Sequence, residues 1–365
     1  RKQSDNVTGN RFTMSCCNPC SSVVGGAGPS TCHPSMFQIL RGHKHVISSL
    51  SFKIADQQLA SSSYDNCVVV WSFSSRLKAF RYIGHTGFVN DVSFSNLGDC
   101  VASGSQDRTV RIWRLGSQGD SFEFRAHTGP VRSVCFSHDG HQLLSASEDN
   151  TLKIWSVYCQ KLICSVNEHT SWIRSVRSSL DGKMMVSASD DKTVKVFSQD
   201  LLSCFMTFFE PKCTISYADF HPSGFLVAAA LSDGSIKLYD LRTQKLLQHH
   251  LVHRTRCNRL SFHPNGKCFI SGSDDGTMKI VDLNDGSTPF SLNGHLGAVT
   301  SVAFSTCGQY IASGGADSQV LLWDNECGHD GLDGNSSEMG MDNTFRRFPM
   351  DLNYSFCPSS PYTVA

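Results

Sequence analysis

The chain contains 365 residues, of which 40% are hydrophobic, and its 32 basic side chains balance its 32 acidic ones. A generic nucleic-acid binder shows a basic stripe, and a membrane-spanning helix needs about 18 or more consecutive apolar residues. The sequence shows neither pattern, so we expect no nucleic-acid and no membrane partner. Its 16 cysteines are scattered without matched spacing, so we expect reduced thiols in a cytosolic protein rather than a disulfide framework.

The first segment, residues 1–35, is rich in Gly, Ser and Pro and lacks periodicity, so we predict a disordered tail. Cys17, Cys20, Cys32 and His33 lie in this segment and are of the types that bind zinc. Their spacing fits a zinc site poorly, so we expect no metal. The chain begins with Arg1 rather than Met, so whether it is a fragment stays open.

From residue 36 to residue 325, the sequence repeats with a period of 42 residues. A unit contains a histidine, then a small polar residue, then an aspartate, and closes with a tryptophan or another large apolar residue. Seven units follow one another without insertion or deletion, which predicts a tandem-repeat architecture. The residues that we predict to form structural groups in these units are His43, Ser61, Asp65, Trp71, His85, Ser103, Asp107, Trp113, His127, Ser145, Asp149, Trp155, His169, Ser187, Asp191, His295, Ser313, Asp317 and Trp323.

Each unit has the pattern of four short strands. In the third unit, the segment VRSVCFS alternates apolar and polar side chains, and Asp139-Gly140 is a tight-turn signal. The segments QLLSAS, LKIW and KLICSV complete the unit. The sequence therefore predicts an all-β fold.

His127, Ser145 and Asp149 are the residue types of a hydrolase triad. The same three types recur in six of the seven units, whereas catalysis requires one triad. We therefore predict a buried hydrogen-bond chain in each unit, no enzymatic activity and no cofactor. In the fifth unit Pro211 replaces the His and Ala229 replaces the Ser, as expected if these groups act together. Leaving one buried partner unpaired costs about 1–3 kcal/mol.

The recurring Gly-His, Asp turn and closing Trp resemble the WD40 β-propeller family over residues 36–325. The resemblance implies seven blades of four strands each. In this family the strand before each His is the outer strand of the preceding blade. The first such strand, MFQIL at residues 36–40, has no preceding blade in the sequence. We therefore expect it to pair with the last strands, around residues 298–324, and to close the ring.

The resemblance also implies that three positions per blade face the top opening of the propeller. Trp, Tyr and Arg dominate the energetics of protein interfaces, and the first blades carry more of them at these positions. The predicted partner-binding residues are Tyr64, Phe88, Arg132, Trp172, Arg174 and Arg256. The alternative is that Trp172 folds over its own loop and that the arginines only pair with Glu148 and Asp190.

A second candidate site is the segment LYDLRT, which contains Tyr239 and Arg242. It resembles the W-D-x-R box by which some propellers dock to a cullin-ligase adaptor, although Tyr stands where the box has Trp. This resemblance implies an alternative function, that of a cullin-ligase substrate receptor. The other interpretation is an ordinary strand end with a solvated arginine.

Within the family, the segments FRAHTGPVRSVCFS, SASEDNTLKIWSVY, SASDDKTVKVF, LSFHPNG and SGGADSQVLLW resemble the proteome-of-centriole WD40 proteins, in particular the B-type paralogue. This resemblance implies a scaffold located in the cytoplasm and cytoskeleton, at centrosomes, centrioles and the basal bodies of cilia. Such a scaffold supports centriole integrity and assembly and cilium formation. The implied partners are proteins of the centriole wall, with tubulin or microtubules as direct partners left open.

The last segment, residues 326–365, leaves the 42-residue period and is predicted to be a flexible tail. The motif FRRFPMDLNYSF within it is a candidate docking peptide, and the alternative is that it is only part of the tail. The centriolar group also carries a C-terminal coiled coil, and this chain shows no heptad run. The sequence therefore leaves three points open: whether the chain self-associates, which partner it binds directly and which face of the propeller binds that partner.

Overall fold

The structure, a computed structural model, describes residues 34–53, 58–73, 77–115, 121–199, 203–325 and 356–358. Every regular element in these residues is a β-strand, and the strands form seven sheets. The prediction of an all-β seven-bladed propeller is confirmed. No helix in the described residues is long and apolar enough to span a membrane. Cys17, Cys20, Cys32, His33 and most of both predicted tails lie outside the described residues.

Strand β1 (Ser35–Arg41) precedes six blades of four consecutive strands each. Blade 1 contains β2 (Ile47–Phe52), β3 (Gln58–Ser63), β4 (Cys67–Ser72) and β5 (Lys78–Ile83). Blade 2 contains β6 (Val89–Phe94), β7 (Cys100–Ser105), β8 (Thr109–Arg114) and β9 (Ser121–Arg125). Blade 3 contains β10 (Val131–Phe136), β11 (Gln142–Ser147), β12 (Leu152–Ser156) and β13 (Lys161–Val166). Blade 4 contains β14 (Ile173–Ser178), β15 (Met184–Ser189), β16 (Thr193–Ser198) and β17 (Cys204–Phe209). Blade 5 contains β18 (Ile215–Phe220), β19 (Leu226–Leu231), β20 (Ser235–Asp240) and β21 (Lys245–Leu251). Blade 6 contains β22 (Cys257–Phe262), β23 (Cys268–Ser273), β24 (Thr277–Asp282) and β25 (Phe290–Asn293).

Blade 7 is assembled from both ends of the propeller. It contains β26 (Val299–Phe304), β27 (Tyr310–Gly315) and β28 (Gln319–Asp324), and β1 pairs antiparallel with β28 as its outer strand. The register places Ser35 opposite Asp324 and Arg41 opposite Gln319. The first strand of the propeller therefore completes its last sheet.

The apolar core lies between neighbouring blades. One buried cluster joins Val110 of blade 2 to Val131 and Phe136 of blade 3. The blades approach so closely that a Cβ atom on Gly104 would lie 2.7 Å from the Val131 side chain. Only a residue without a side chain fits at this position. Close packing of this kind fixes each inner strand at the wall of the central channel.

The aspartate of each unit lies in the turn between the second and third strands of its blade. The residue after it has a positive φ in all seven units, and five of these residues are not glycine: Asn66, Arg108, Asn150, Lys192 and Ser318. The turn is therefore formed by the same left-handed backbone conformation in every blade, whichever side chain stands there.

One short strand lies in the segment that we predicted to be a flexible tail. Strand β29 (Phe356–Pro358) pairs parallel with β5, with Phe356 opposite Ala79. Strand β5 is the outer strand of its blade, so it offers unpaired backbone groups to which another strand can add. The rest of residues 326–365 lies outside the described residues.

Candidate functional site: the structural tetrads and the channel mouth

The third blade shows how a histidine, a serine, an aspartate and a tryptophan meet. Trp155 Nε1–H donates to Ser145 Oγ at 2.9 Å, and Ser145 Oγ lies 2.8 Å from His127 Nε2. His127 Nδ1 lies 3.0 Å from the Asp149 carboxylate. An ionised carboxylate only accepts hydrogen bonds, so Nδ1 carries the hydrogen and Nε2 accepts from the serine. The four side chains thus form one continuous hydrogen-bond chain.

The same contacts occur in the other blades that carry the full set. Serine Oγ to histidine Nε2 distances are 2.8 Å in blades 1 and 2 and 2.9 Å in blade 7. Blades 4 and 6 keep the histidine, serine and aspartate contacts, but Phe197 and Val281 replace the tryptophan and supply no N–H donor. The structure therefore brings together every predicted member of these groups.

The aspartates of these groups are held in their ionised form. Burial alone would raise the pKa of Asp65, but hydrogen bonding to His43 and to the backbone of Lys44 lowers it to about 2. Asp149 is partly buried in the same way, and the hydrogen bonds from His127 and Thr151 hold its pKa well below the ordinary value. A permanently ionised aspartate keeps its histidine in one tautomer and orientation.

Ser145, the serine of the blade 3 hydrogen-bond chain, is not placed to act as a nucleophile. Ser145 is 0% exposed, and its Oγ already accepts from Trp155 while it contacts His127. A hydrolase needs its nucleophile within reach of a substrate carbonyl. Burial behind a tryptophan prevents this approach, so the geometry is that of a structural link.

The fifth blade has a different polar group, which our sequence analysis missed. The Tyr239 hydroxyl donates to Glu210, and Lys237 Nζ lies 2.6 Å from the same carboxylate. Glu210 stands one position before Pro211, so a search at the histidine position alone overlooks it. Its signal in the sequence is an acidic residue directly before the lost histidine position, in a repeat whose tryptophan has become tyrosine. Burial and the Glu210 contact both raise the pKa of Tyr239, so its hydroxyl remains a donor.

A second missed feature is a group of charged and aromatic side chains contributed by the inner strands of blades 2, 4, 5 and 6. Asp91 of blade 2 faces two guanidinium groups, with Arg177 Nη1 at 3.3 Å and Arg259 Nη1 at 3.2 Å. Both arginines also pack against Tyr217, with their Cζ atoms 5.0 Å and 5.1 Å from its ring centroid. We call Asp91, Arg177, Tyr217 and Arg259 the channel plug. Burial disfavours the Asp91 carboxylate, but Arg177 and Arg259 lower its pKa to about 2.

Asp219 of blade 5 lies near the plug, but its pKa is shifted in the direction opposite to that of Asp91. Its carboxylate accepts a hydrogen bond from the Phe220 backbone at 2.9 Å. Burial raises the pKa of Asp219 to about 6, although Arg177 acts against this shift. The channel therefore contains two carboxylates that ionise in different pH ranges.

Above the plug, one ring of residues joins neighbouring blades. Ser48 donates to the Val89 carbonyl at 2.6 Å, and Asn90 donates to the Val131 carbonyl at 2.7 Å. Asn258 and Thr300 make the equivalent bonds from blades 6 and 7 to the blades that follow them. We call the cavity of about 100 Å³ between this ring and the plug the channel mouth.

Arg132 and Arg174 occupy the same ring position in blades 3 and 4 but bond differently. Arg132 Nε donates to Glu148 at 2.5 Å, and Arg174 forms a two-pronged pair with Asp190 at 2.9 Å and 2.5 Å. These are the ion pairs that our alternative interpretation named. Both arginines nevertheless line the channel mouth.

Trp172 and Arg256 lie beside these arginines. The Arg174 guanidinium stacks on the Trp172 ring, with Cζ 5.3 Å from the ring centroid, and Trp172 remains 45% exposed. Arg256 reaches from blade 6 to blade 5, where its Nε donates to Ser216 Oγ at 2.9 Å. Burial and the neighbouring Arg174 both lower the pKa of Arg256.

The remaining two candidates form an aromatic stack on blades 1 and 2. The rings of Tyr64 and Phe88 lie 4.9 Å apart with an interplanar angle of 21°, and His45 stacks on Phe88 at 6.2 Å. Phe88 is 43% exposed. The six predicted partner-binding residues thus lie in two groups, one aromatic and one mainly of arginines.

The Arg242 candidate lies in the turn after β20. Its side chain is 68% exposed, its guanidinium lies 5.0 Å from the Phe225 ring centroid, and its Nε lies 3.5 Å from Asp240. Tyr239, by contrast, is buried and bonded to Glu210. Arg242 is therefore accessible to a partner, whereas the aromatic residue of the same segment is not.

The described part of the chain contains cysteine thiols but no grouped metal ligands. Within it, no cluster of three or more His, Cys, Asp or Glu side chains has a metal-binding arrangement. The free thiols of this part include those of Cys67, Cys100, Cys135, Cys159, Cys164, Cys204, Cys213 and Cys257. Burial raises the pKa of Cys100 to about 12, which makes this thiol unreactive.

Comparison with known proteins adds a family and a set of relatives. The family model described as "WD domain, G-beta repeat" matches seven segments: residues 35–72, 76–114, 120–156, 160–198, 202–240, 244–282 and 286–324. POC1 centriolar protein homolog A of Xenopus laevis is 44% identical over 49 residues, which are 13% of this chain and 11% of that protein. Homolog B of Xenopus laevis is 43% identical over 49 residues, 13% of this chain and 10% of that protein. Homolog A of Bos taurus is 45% identical over 48 residues, 13% of this chain and 12% of that protein.

These alignments span about a tenth of the length of the curated relatives. The A and B forms match at nearly equal identity, so the similarity does not favour the B-type paralogue that the sequence motifs indicated.

Proposed function

The chain belongs to the WD40 repeat family, and on this basis we propose that it is a non-catalytic interaction scaffold of centrioles that binds a protein partner at its channel mouth. Three similar proteins carry the word centriolar in their names, and this supports the location. A role at basal bodies and in cilium formation, with partners in the centriole wall, belongs to the same proposal.

The observation that carries the proposal is the break in the ring at blades 3 and 4. At this position Ser48, Asn90, Asn258 and Thr300 bond to the next blade. Arg132 and Arg174 instead pair with acidic residues of their own blades. In four blades, the residue at the ring position forms a hydrogen bond to the next blade. In blades 3 and 4, the residue at this position is an arginine that lines the channel mouth.

Trp172 strengthens this argument. It is the one tryptophan outside the repeated Trp positions, so the blade architecture does not require it. It is 45% exposed and stacks on Arg174. Exposed Trp next to Arg is the combination that most often dominates the binding energy of protein interfaces. The non-catalytic part of the proposal rests on the buried and fully bonded serines of the repeated groups.

The location is tested by imaging the tagged chain in dividing cells with a centriole marker, before and after microtubules are depolymerised. We expect paired foci on the marker that persist after depolymerisation. A diffuse signal from the wild-type chain would contradict the centriolar assignment for these residues.

The binding site is tested with the double variant Trp172→Ala/Arg174→Ala. We expect its foci to be lost while its circular dichroism and thermal midpoint stay close to those of the wild type. Unchanged foci in this folded variant would show that the channel mouth is not the recruiting surface.

The exposure of Arg242 favours a second candidate, the cullin-ligase substrate receptor. It requires that the cullin adaptor co-purifies with the chain and that Arg242→Ala abolishes this association. In the imaging experiment Arg242→Ala serves as the matched control, because it removes an exposed arginine away from the channel mouth. Loss of the foci in Arg242→Ala alone would favour the receptor function.

A further inference from the structure

The inner strand of blade 4 departs from the repeat at its last two residues. The inner strands of the other six blades all end in phenylalanine: Phe52, Phe94, Phe136, Phe220, Phe262 and Phe304. Strand β14 ends in Ser178 instead. The residue before it, Arg177, stands where the other blades have a small residue or an aspartate. Blade 4 therefore combines a missing aromatic ring with an added positive charge.

A cavity of about 230 Å³ lies at this end of the inner strands. We call it the lower cavity; Arg177 and Ser178 of blade 4 line it, and Arg259 reaches it from blade 6. It differs from the channel mouth, which is lined by residues nearer the start of the inner strands and does not include Ser178. Two further lining residues, His138 and Leu180, are exposed, so the lower cavity reaches the protein surface.

The charges around the lower cavity favour an anion. The described residues that line it include two guanidinium groups, those of Arg177 and Arg259, and no carboxylate. Asp91, which pairs with both arginines, lines the channel mouth instead. One carboxylate that is shared by two guanidinium groups leaves one positive charge for another anion.

Arg259 has unused hydrogen-bond donors. Its Nη1 donates to Ser49 and lies 3.2 Å from Asp91. Within the described part of the chain, its Nε and Nη2 have no hydrogen-bond partner. Arg177, by contrast, donates from Nε to Tyr217 and from Nη1 to backbone carbonyls. Arg259 is therefore the guanidinium to which a ligand can bond.

Asp219 competes with such a ligand through its charge. Burial raises the pKa of Asp219 to about 6, although Arg177 and Arg259 act against this shift. The carboxylate is therefore ionised at pH 7.5. It accepts a hydrogen bond from the Phe220 backbone, and among the described residues it forms no ion pair with either arginine. A ligand carboxylate that bonds directly to Arg259 makes the contact that Asp219 does not make.

The remaining wall of the lower cavity has a large apolar part. Phe52, Phe94, Phe136 and Val92 all line it. An apolar cavity of about 150 Å³ holds a benzene molecule, so this cavity has room for one ring and a carboxylate. The two oxygens of a carboxylate also match two parallel N–H groups of a guanidinium. The wall therefore fits a small organic acid with one charge and an apolar body.

From this arrangement we propose that the lower cavity binds a small organic monocarboxylate, which bonds to Arg259 and packs its apolar body against the phenylalanine rings. The serine at position 178 leaves space that an aromatic ring would reduce. A phosphate fits the charges less well, because it brings about two negative charges to arginines that Asp91 and Asp219 already face. The proposal goes beyond the scaffold function and does not depend on it.

The test titrates 4-fluorobenzoate into the full 365-residue chain at pH 7.5 and follows its fluorine NMR signal, with 4-fluorobenzamide as the neutral probe. We expect saturable binding of the benzoate and no binding of the benzamide. Arg259→Gln should weaken binding about tenfold or more, the loss expected when a charged hydrogen-bond donor is removed. Ser178→Phe restores the residue of the other six blades and should abolish binding, because its ring occupies the cavity.

Arg254→Gln is the matched control, since it removes the same charge from an exposed position in the loop before β22. Equal losses in Arg254→Gln and Arg259→Gln would show general electrostatic attraction and overturn the proposal. Unchanged binding in folded Ser178→Phe would place the ligand outside the lower cavity and also overturn it. Displacement of the probe by less inorganic phosphate than unlabelled benzoate would overturn the assignment of a carboxylate.

Asp219→Asn gives an expectation of the opposite sign. It removes the competing charge, so it should bind 4-fluorobenzoate several-fold more tightly than the wild type at pH 7.5. Unchanged or weaker binding in this variant would contradict the role assigned to the two arginines. Thermal midpoints within a few degrees of the wild type show that each variant is folded, and if Arg259→Gln is not, Ser178→Phe and Asp219→Asn decide the test. Probe binding is measured without centriolar imaging, so this proposal and the scaffold function fail separately.

Discussion

Arg177 of blade 4 forms an ion pair with Asp91 of blade 2 across the central channel, with Nη1 3.3 Å from Oδ2. Arg259 of blade 6 completes the contact from a third direction at 3.2 Å. One carboxylate therefore holds two guanidinium groups that come from blades on different sides of the ring. These charges are largely removed from water on folding. The group therefore stabilises the fold only when all its members are present.

We predict that Asp91→Asn lowers the free energy of unfolding by about 3–5 kcal/mol, because it removes the carboxylate that pairs with both the Arg177 and Arg259 guanidinium groups. Urea unfolding followed by tryptophan fluorescence measures the loss. Glu123→Gln is the control: Glu123 pairs with Arg111 at the surface, where its side chain is 42% exposed, and should cost at most about 1 kcal/mol. A loss for Asp91→Asn as small as for Glu123→Gln would show that the plug contributes little to stability.

The pKa of Asp219 predicts a pH dependence of stability. Burial raises this pKa from its ordinary value of 3.8 to about 6. Between these two values the folded protein holds a proton that the unfolded chain has released. The Asp219 contribution to the free energy of unfolding therefore decreases as the pH rises from about 4 to about 6, and the full penalty remains above pH 6.

The corresponding variant is Asp219→Asn, which cannot ionise and can still accept the Phe220 backbone hydrogen bond. We expect it to be more stable than the wild type at pH 7.5, by roughly 2–3 kcal/mol, and nearly equal near pH 4. Urea midpoints at pH 4, 5, 6 and 7.5 measure the difference between the two proteins. A constant difference across this range would contradict the raised pKa.

The repeated groups predict which of two serine substitutions destabilises the protein more. Ser145→Ala removes the partner of both Trp155 Nε1 and His127 Nε2. Ser187→Ala removes only the partner of His169, because Phe197 carries no donor. We expect the free energy of unfolding to fall by about 1–3 kcal/mol for each group left unpaired. The loss should therefore be larger for Ser145→Ala than for Ser187→Ala. Equal losses in urea unfolding would mean that the tryptophan hydrogen bond adds nothing.

The replacement group in blade 5 should behave as a coupled pair. Tyr239→Phe removes a donor from the buried Glu210 carboxylate, and Glu210→Gln removes the charge that Tyr239 and Lys237 share. A double-mutant cycle on the free energy of unfolding should give an interaction energy of about 0.5–3 kcal/mol. Additive losses would show that the two residues contribute independently.

The sequence predicted the seven blades and their hydrogen-bond groups because these depend on spacing that repeats. A histidine, a serine and an aspartate that return in phase lie in one blade, so neighbours in the repeat are neighbours in space. His127 and Ser145, 18 residues apart, could therefore be paired before the structure was known.

The channel plug could not be predicted in this way. Asp91 and Arg177 are 86 residues apart, and Asp91 and Arg259 are 168 apart. Their contact depends on the diameter of the closed ring and on the length of two arginine side chains, neither of which the repeat specifies. A signal was present, since Asp91, Tyr217 and Arg259 stand where other units have serine. Three such departures at an inward-facing position indicate a shared site.

The six partner-binding residues were predicted as top-facing positions, and in the structure they lie in two groups. Tyr64 and Phe88 stack on each other, whereas Trp172 stacks on Arg174. The top-facing positions follow from the repeat, but the rotamer that each side chain adopts depends on its neighbours. Ion pairs with Glu148 and Asp190 fix the side-chain conformations of Arg132 and Arg174. Arg256 instead donates to Ser216, which the repeat does not predict.

The pairing of β1 with β28 has a consequence for how the protein is made. Strand β1 leaves the ribosome first, and its partner is synthesised only after the other six blades. At roughly 5–20 residues per second, the nascent chain carries an unpaired β1 edge for some tens of seconds. The ring therefore cannot close before β28 has been synthesised, and until then the β1 edge can pair with another exposed strand nearby.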